Sequence, residues 1–153
     1  MAIFNSFDES YCSLEVSKMF KILGFKTGVY RFWSKGHNTD KPCIKKGIEA
    51  FAYADVKADW NTFVPYPNDE KDVICSAPSH DVAIKWLLKN FGICVSASVS
   101  SSGKFMYEVW KVNETPERGW DRIKSEYGFD TIEKATDMGL IYSLKHLIWH
   151  KIK

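Results

Sequence analysis

A chain of 153 residues with 45% apolar side chains, among them six Trp, seven Tyr and ten Phe, has enough material for a packed core without metal or disulfide support. Its formal net charge of +2 excludes both a global field for attracting nucleic acid and an acidic mimic of it. No apolar run approaches the roughly 18–20 residues needed to cross a bilayer, no basic-then-apolar leader opens the chain, and the four cysteines show no C-x-x-C pairing, so the expectation is a reduced, cytoplasmic chain that keeps its cysteines as small core residues.

The first predicted element opens at Ser13-Leu14-Glu15-Val16. Val16, Met19, Phe20 and Leu23 form a helical apolar stripe, Lys18 and Lys21 lie outside it, and Gly24 is the stop. Gly28 to Trp33 then reads as an aromatic strand. Lys35 to Gly47 is polar and broken by Gly36, Asn38, Asp40 and Pro42, which predicts a long hairpin loop or an excursion. Ile48 to Tyr53 predicts a returning strand and Asp55 to Trp60 a short helix. The turn cluster Pro65-Tyr66-Pro67-Asn68-Asp69, running on to Asp72, marks a candidate boundary between halves 1–68 and 73–153 of a single domain.

From Ser76 to Val112 the signals follow one another without a gap. Ser76 or Ser79 serves as N-cap, Pro78 suits a first helical turn, and Asp81 sits near the positive end of the dipole. Val82, Trp86, Leu87 and Phe91 face inward, Lys85 and Lys89 outward, and Gly92 ends the helix. The period then changes to two: Ile93, Val95, Ala97 and Val99 alternate with Cys94, Ser96 and Ser98. Ser100-Ser101-Ser102-Gly103 is turn composition, and Phe105 to Val112 returns as an aromatic-rich strand. Trp120 to Lys124 predicts a third strand. Asp130-x-x-Glu133 resembles a capping box, and Ile132, Ala135, Met138, Ile141, Leu144, Leu147 and Ile148 predict a long amphipathic helix. Gly139 interrupts that helix at a cost of about 1 kcal/mol relative to Ala, which close helix–sheet packing would justify. The expected architecture is α+β: an antiparallel or mixed sheet, amphipathic helices packed on one face, and two halves that each run helix, glycine, strand.

Charge is segregated along the chain. Lys26, Arg31, Lys35, Lys41, Lys45 and Lys46 oppose only Asp40 between positions 26 and 46, a balance of +5. Glu49, Asp55, Asp59, Asp69, Glu70, Asp72 and Asp81 oppose Lys57 and Lys71 between positions 49 and 81, a balance of −5. Solvated faces account for such runs, and so does a bipolar surface that steers a partner. Two stretches interleave aromatics with cations, as single-stranded RNA platforms do: Tyr30, Arg31, Trp33 and Lys35, and Lys104, Tyr107, Trp110 and Lys111. Alternate aromatics of a half-buried strand also belong in a core.

His146 and His150 share a helix face and could share a metal, but the third ligand would have to come from far away in sequence, and with Lys145, Lys151 and Lys153 they read instead as a basic end complementing the helix dipole. Ser79-His80-Asp81 carries triad letters at a spacing that triad geometry does not allow, and Cys75 near His80 lacks any marked oxyanion hole. No phosphate-cradling glycine motif is present. The expectation is therefore no catalytic residue, no metal and no cofactor. The candidate partner-binding residues are Arg31, Trp33, Lys35, Lys45 and Lys46 in the first half, and Lys104, Trp110, Lys111, Lys145, His146, His150 and Lys151 in the second.

Several blocks carry a family resemblance. Cys12-Ser13-Leu14-Glu15 through Lys18 to Leu23-Gly24, the aromatic strand Tyr30 to Trp33, Glu49-Ala50-Phe51 with the run to Trp60, Ala77-Pro78-Ser79 to Lys85-Trp86-Leu87, and Thr131 to Ala135 with Leu147-Ile148 resemble small proteins encoded by phages and prophages, chiefly of Bacteroidetes. The chain departs from that pattern after Ile148. The resemblance implies a genomic setting and no reaction. It implies an anti-CRISPR-like inhibitor in the host cytoplasm, without enzymatic activity. Such an inhibitor would bind a host-defence protein or nucleoprotein, such as an RNA-guided effector of type II or type VI or its guide RNA, and no membrane. A structural or self-associating phage accessory protein is the alternative, and a small metal-dependent hydrolase or nuclease a further one.

Overall fold

The computed structural model describes residues 10–35, 41–46, 57–62 and 72–152. The expected strand at Ile48–Tyr53 and the Pro65–Asp69 cluster lie outside the described residues. In chain order the elements are α1 (Leu14–Ile22), β1 (Arg31–Ser34), β2 (Cys43–Lys46), β3 (Val73–Ser76), α2 (His80–Phe91), β4 (Ile93–Val99), β5 (Phe105–Val112), β6 (Trp120–Phe129) and α3 (Ile132–Ile152), with a 3-10 turn at Pro116–Arg118 before β6. They form two antiparallel sheets, ordered β2-β1-β3 and β4-β5-β6, so the fold is α+β. No described helix is long and apolar enough to cross a membrane.

Local signals explain most of the boundaries. Ser13 caps α1 by accepting the Val16 N–H, and Ser79 caps α2 by accepting the Val82 N–H. Gly92 ends α2 in the left-handed region (φ 63°), and a Cβ there would lie 2.5 Å from Val112 Cγ1. Pro78 sits outside the helix, one residue before the cap, where its carbonyl accepts the Cys12 N–H at 2.9 Å. The cap of α3 is Thr131, whose Oγ1 accepts the Lys134 N–H, while Asp130 pairs with Lys104.

The first sheet departs most from expectation. β1 starts at Arg31, and the return strand is β2, inside the stretch expected to be loop. Lys57 to Trp60 is not helical. Ala58 exchanges both backbone bonds with Val29 (2.9 and 3.0 Å), and Trp60 Nε1 donates to Val29 O at 2.7 Å. These non-local bonds take the groups a helix would have used. Of the cysteines, Cys12 and Cys75 are buried as expected, but Cys94 is half-buried and Cys43 is exposed.

One continuous core runs beneath both sheets. Phe20, Phe25, Trp86 and Phe91 meet edge to face at 5.4–5.5 Å, and Phe32 lies 4.5 Å from the Trp60 ring. α3 covers one face of the second sheet. At Gly139 its backbone comes so close that a Cβ would stand 2.8 Å from Val95 Cγ1 and 3.1 Å from the Tyr107 ring. The glycine expected from sequence to permit close packing does so.

Candidate functional site

With α3 on the inner face, the outer face of the second sheet is turned to solvent. Val95, Tyr107 and Val109 point inward and are at most 2% exposed. Their neighbours in sequence point outward and line up in rows across the three strands: Cys94, Trp110 and Arg122; Ser96, Glu108 and Ser125; Ser98, Met106 and Tyr127. Val112 and Trp120, directly opposite each other, extend the face at one end. Ser96, Ser98, Arg122, Ser125, Trp120 and Tyr127 are exposed, the last at 76%.

Two register shifts in β6 decide what the face displays. Val109 pairs with Lys124 while Trp110 pairs with Arg122, leaving Ile123 as an extra residue. Arg122 and Lys124 therefore leave on opposite faces although they are two apart. The Arg122 guanidinium sits 6.0 Å from the Trp110 ring centroid outside, and Lys124 Nζ sits 5.7 Å from the Tyr142 ring on α3 inside. The second shift falls at Gly128 (φ 101°), after which Phe129 turns in towards Tyr107 at 5.8 Å. Glu108 ties the outer cluster together. Its Oε2 accepts Trp110 Nε1–H at 2.9 Å, and its Oε1 lies 3.9 Å from Arg122 Nη1. Within these rows Glu108 and Arg122 are the two charges and cancel, so the face is aromatic and electrically neutral.

The residues expected to bind a partner fall into three groups. On the first sheet, Arg31 is half-buried with its guanidinium 6.0 Å from the Tyr11 ring. Trp33 is held inward by its indole N–H, which reaches Cys12 O at 3.3 Å and Ser17 Oγ at 3.2 Å. Lys35 is exposed just after β1, Lys45 is half-buried on β2 and Lys46 ends that strand. On the second sheet, Trp110 faces outward, Lys111 inward, and Lys104 pairs with Asp130 in the hairpin turn. Tyr107 is buried with its hydroxyl donating to Glu126 at 3.0 Å, so the hairpin does not present Lys104, Tyr107, Trp110 and Lys111 on one surface.

The third group is the basic end of α3. His146 and His150 stack edge to face at 4.4 Å, and Tyr142 stacks on His146 at 6.3 Å. Lys145 lies 3.7 Å from Glu15, and Lys151 is exposed in the last turn. Burial, then the charges of His150 and of Lys111 from β5, hold His146 below the usual histidine range. Lys111 and the two histidines, distant in sequence, thus share one ridge. Among the described residues no third metal-type side chain joins the two histidines.

A different trio does assemble, at the helix junction. Cys12 precedes α1, His80 opens α2 and Asp137 lies on α3; one donor atom from each falls within 4.8 Å of the other two. His80 Nε2 lies 3.2 Å from Asp137 Oδ1, which also accepts the Ser13 N–H at 3.0 Å. Burial pushes the Asp137 carboxyl up, but the hydrogen bonds from His80 and Ser13 outweigh it and hold the group below the carboxylate range. Burial and the nearby Asp137 charge push the Cys12 thiol well up, which favours the protonated thiol. Ser79 spends its oxygen on the α2 cap and Asp81 pairs with Lys85, so the Ser79-His80-Asp81 letters make no triad. The trio was missed in the sequence because its members lie on three elements and only His80 stood beside residues that attract notice. No protein-family model, no curated protein and no solved structure matches the chain.

Proposed function

We propose that the protein is a non-enzymatic binding module that docks a protein partner on the outer face of the β4-β5-β6 sheet. The observation that carries this reading is the composition of that face. Trp110, Tyr127, Trp120, Met106 and Arg122 are residue types enriched at protein interfaces, and here they share one outward sheet face on which Tyr127, Trp120 and Arg122 are exposed and Trp110 and Met106 half-buried. Arg122 is already oriented by Trp110 and Glu108, so part of its ordering entropy is lost before binding. Cancelled charge favours a protein over a polyphosphate, which needs an excess of cations.

The phage setting implied by the sequence resemblance directs the choice of partner to a host-defence nucleoprotein, with inhibition of an RNA-guided type II or type VI effector as the activity. The test uses purified guide-loaded effectors of both types and reads target cleavage against added protein. Dose-dependent inhibition that Tyr127→Ala relieves supports the reading; full cleavage at saturating protein with both effectors refutes the choice of partner. A second reading, direct binding of guide RNA, draws on the Lys111, Lys124, His146 and His150 ridge with Tyr142 stacked in it. A gel shift with naked guide RNA that Lys111→Glu abolishes would select that reading instead.

A further inference from the structure

We propose that Cys12, His80 and Asp137 form a Zn2+-binding site that joins the N-terminal parts of the three helices. Sulfur, imidazole nitrogen and carboxylate oxygen are the donor types that zinc takes. A tetrahedral zinc with bonds of about 2.0–2.3 Å holds its donors roughly 3.3–3.8 Å apart. The donors here lie within 4.8 Å of one another, and the His80–Asp137 edge is already 3.2 Å. Closure therefore requires the Cys12 sulfur to move inward by an amount on the order of 1 Å, within one side-chain adjustment.

Charge supports the same assignment. Zinc binding converts the Cys12 thiol to thiolate and releases its proton, while His80 binds as neutral imidazole. Thiolate and Asp137 carboxylate then balance the two positive charges of the ion, so a neutral unit is buried. The surroundings provide supporting contacts. The Ser13 N–H already fixes Asp137, and Ser17 Oγ donates to the Cys12 carbonyl at 3.4 Å. A cavity of about 280 Å³, lined by Ser10, Ser79, His80, Glu133 and Thr136 among others, opens beside His80, the one of the three ligands that lines it.

The experiment treats reduced, chelator-stripped protein with Co2+ as a spectroscopic stand-in, then competes it with Zn2+. The expected result is one equivalent bound, a thiolate-to-cobalt charge-transfer band, its loss on adding Zn2+, and a melting temperature raised by zinc. Cys12→Ser should abolish the band. Asp137→Asn and His80→Gln should lower zinc affinity by at least about a hundredfold, more than supporting-contact changes do. His146→Gln with His150→Gln should leave binding intact. Circular dichroism identifies any variant that fails to fold, and the folded variants decide. Absence of saturable metal binding, or one-equivalent binding that survives Asp137→Asn and His80→Gln, overturns the site and leaves a His80–Asp137 hydrogen bond beside a buried thiol.

Discussion

Replacing Gly139 by Ala sets two effects of opposite sign against each other. In an exposed helix interior the change would stabilise by about 1 kcal/mol, because Ala loses less backbone entropy than Gly. Here the new methyl would stand 2.8 Å from Val95 Cγ1 and 3.1 to 3.2 Å from the Tyr107 ring. Neither wall yields easily. Val95 is a β-branched residue in the middle of β4 paired with Val109, and Tyr107 is fixed at its far end by Glu126. Overpacking of this kind costs about 1–3 kcal/mol, so the net expectation is a loss of about 1 kcal/mol, or about 3 °C in Tm for a domain of this size. Urea unfolding at equilibrium measures it. Adding Val95→Ala removes the closest wall, and the double variant should be less destabilised than the sum of the singles by about 0.5–2 kcal/mol. A midpoint for Gly139→Ala at or above the wild-type value would refute the close helix–sheet approach.

Further outcomes follow from the same contacts. Trp60→Ala removes a ring 1% exposed, its contact with Phe32 and its bond to Val29 O, and should cost about 3–5 kcal/mol by denaturant titration; a loss under about 1 would contradict the role of the 57–62 segment in the core. Native alkylation should label exposed Cys43 ahead of Cys75, whose thiol burial raises to about 11 despite Lys21 and Lys18, with mass spectrometry reading the order. His146 is held low in the folded state, so the unfolded chain binds more protons on it below about pH 6.5. Its contribution is present above that pH and is lost as pH falls towards the folded value, and His146→Gln should flatten stability between them.

The second half of the chain was legible because its structure is local. The Ser79 cap, the Gly92 stop, the period change at Ile93 and the serine-rich turn each sit within a few residues of the groups they control. In the first half α1 was legible for the same reason, from its Ser13 cap and apolar stripe, but the sheet was not, because its pairings join distant segments: Val29 with Ala58, and β3, from beyond the expected boundary, with β1. β6 runs ten residues where five were expected. Its polar second part, Ser125 to Gly128, shows little alternation in an edge strand that is mostly exposed. The docking face was half visible. Trp110 stood out among cations, but Tyr127 joins Trp110 and Arg122 on one side only through the bulges at Ile123 and Gly128, which no spacing rule in the sequence announces. The Cys12, His80 and Asp137 trio depends wholly on tertiary packing.

The most direct test of the docking face is calorimetric titration of a guide-loaded effector with wild-type protein, with Trp110→Ala/Tyr127→Ala, and with Lys35→Ala/Lys45→Ala on the other sheet. The account predicts that the aromatic pair costs about 2–4 kcal/mol of binding and the lysine pair under about 0.5. Unchanged affinity for the aromatic double variant, with the loss falling on the lysine pair, would contradict it.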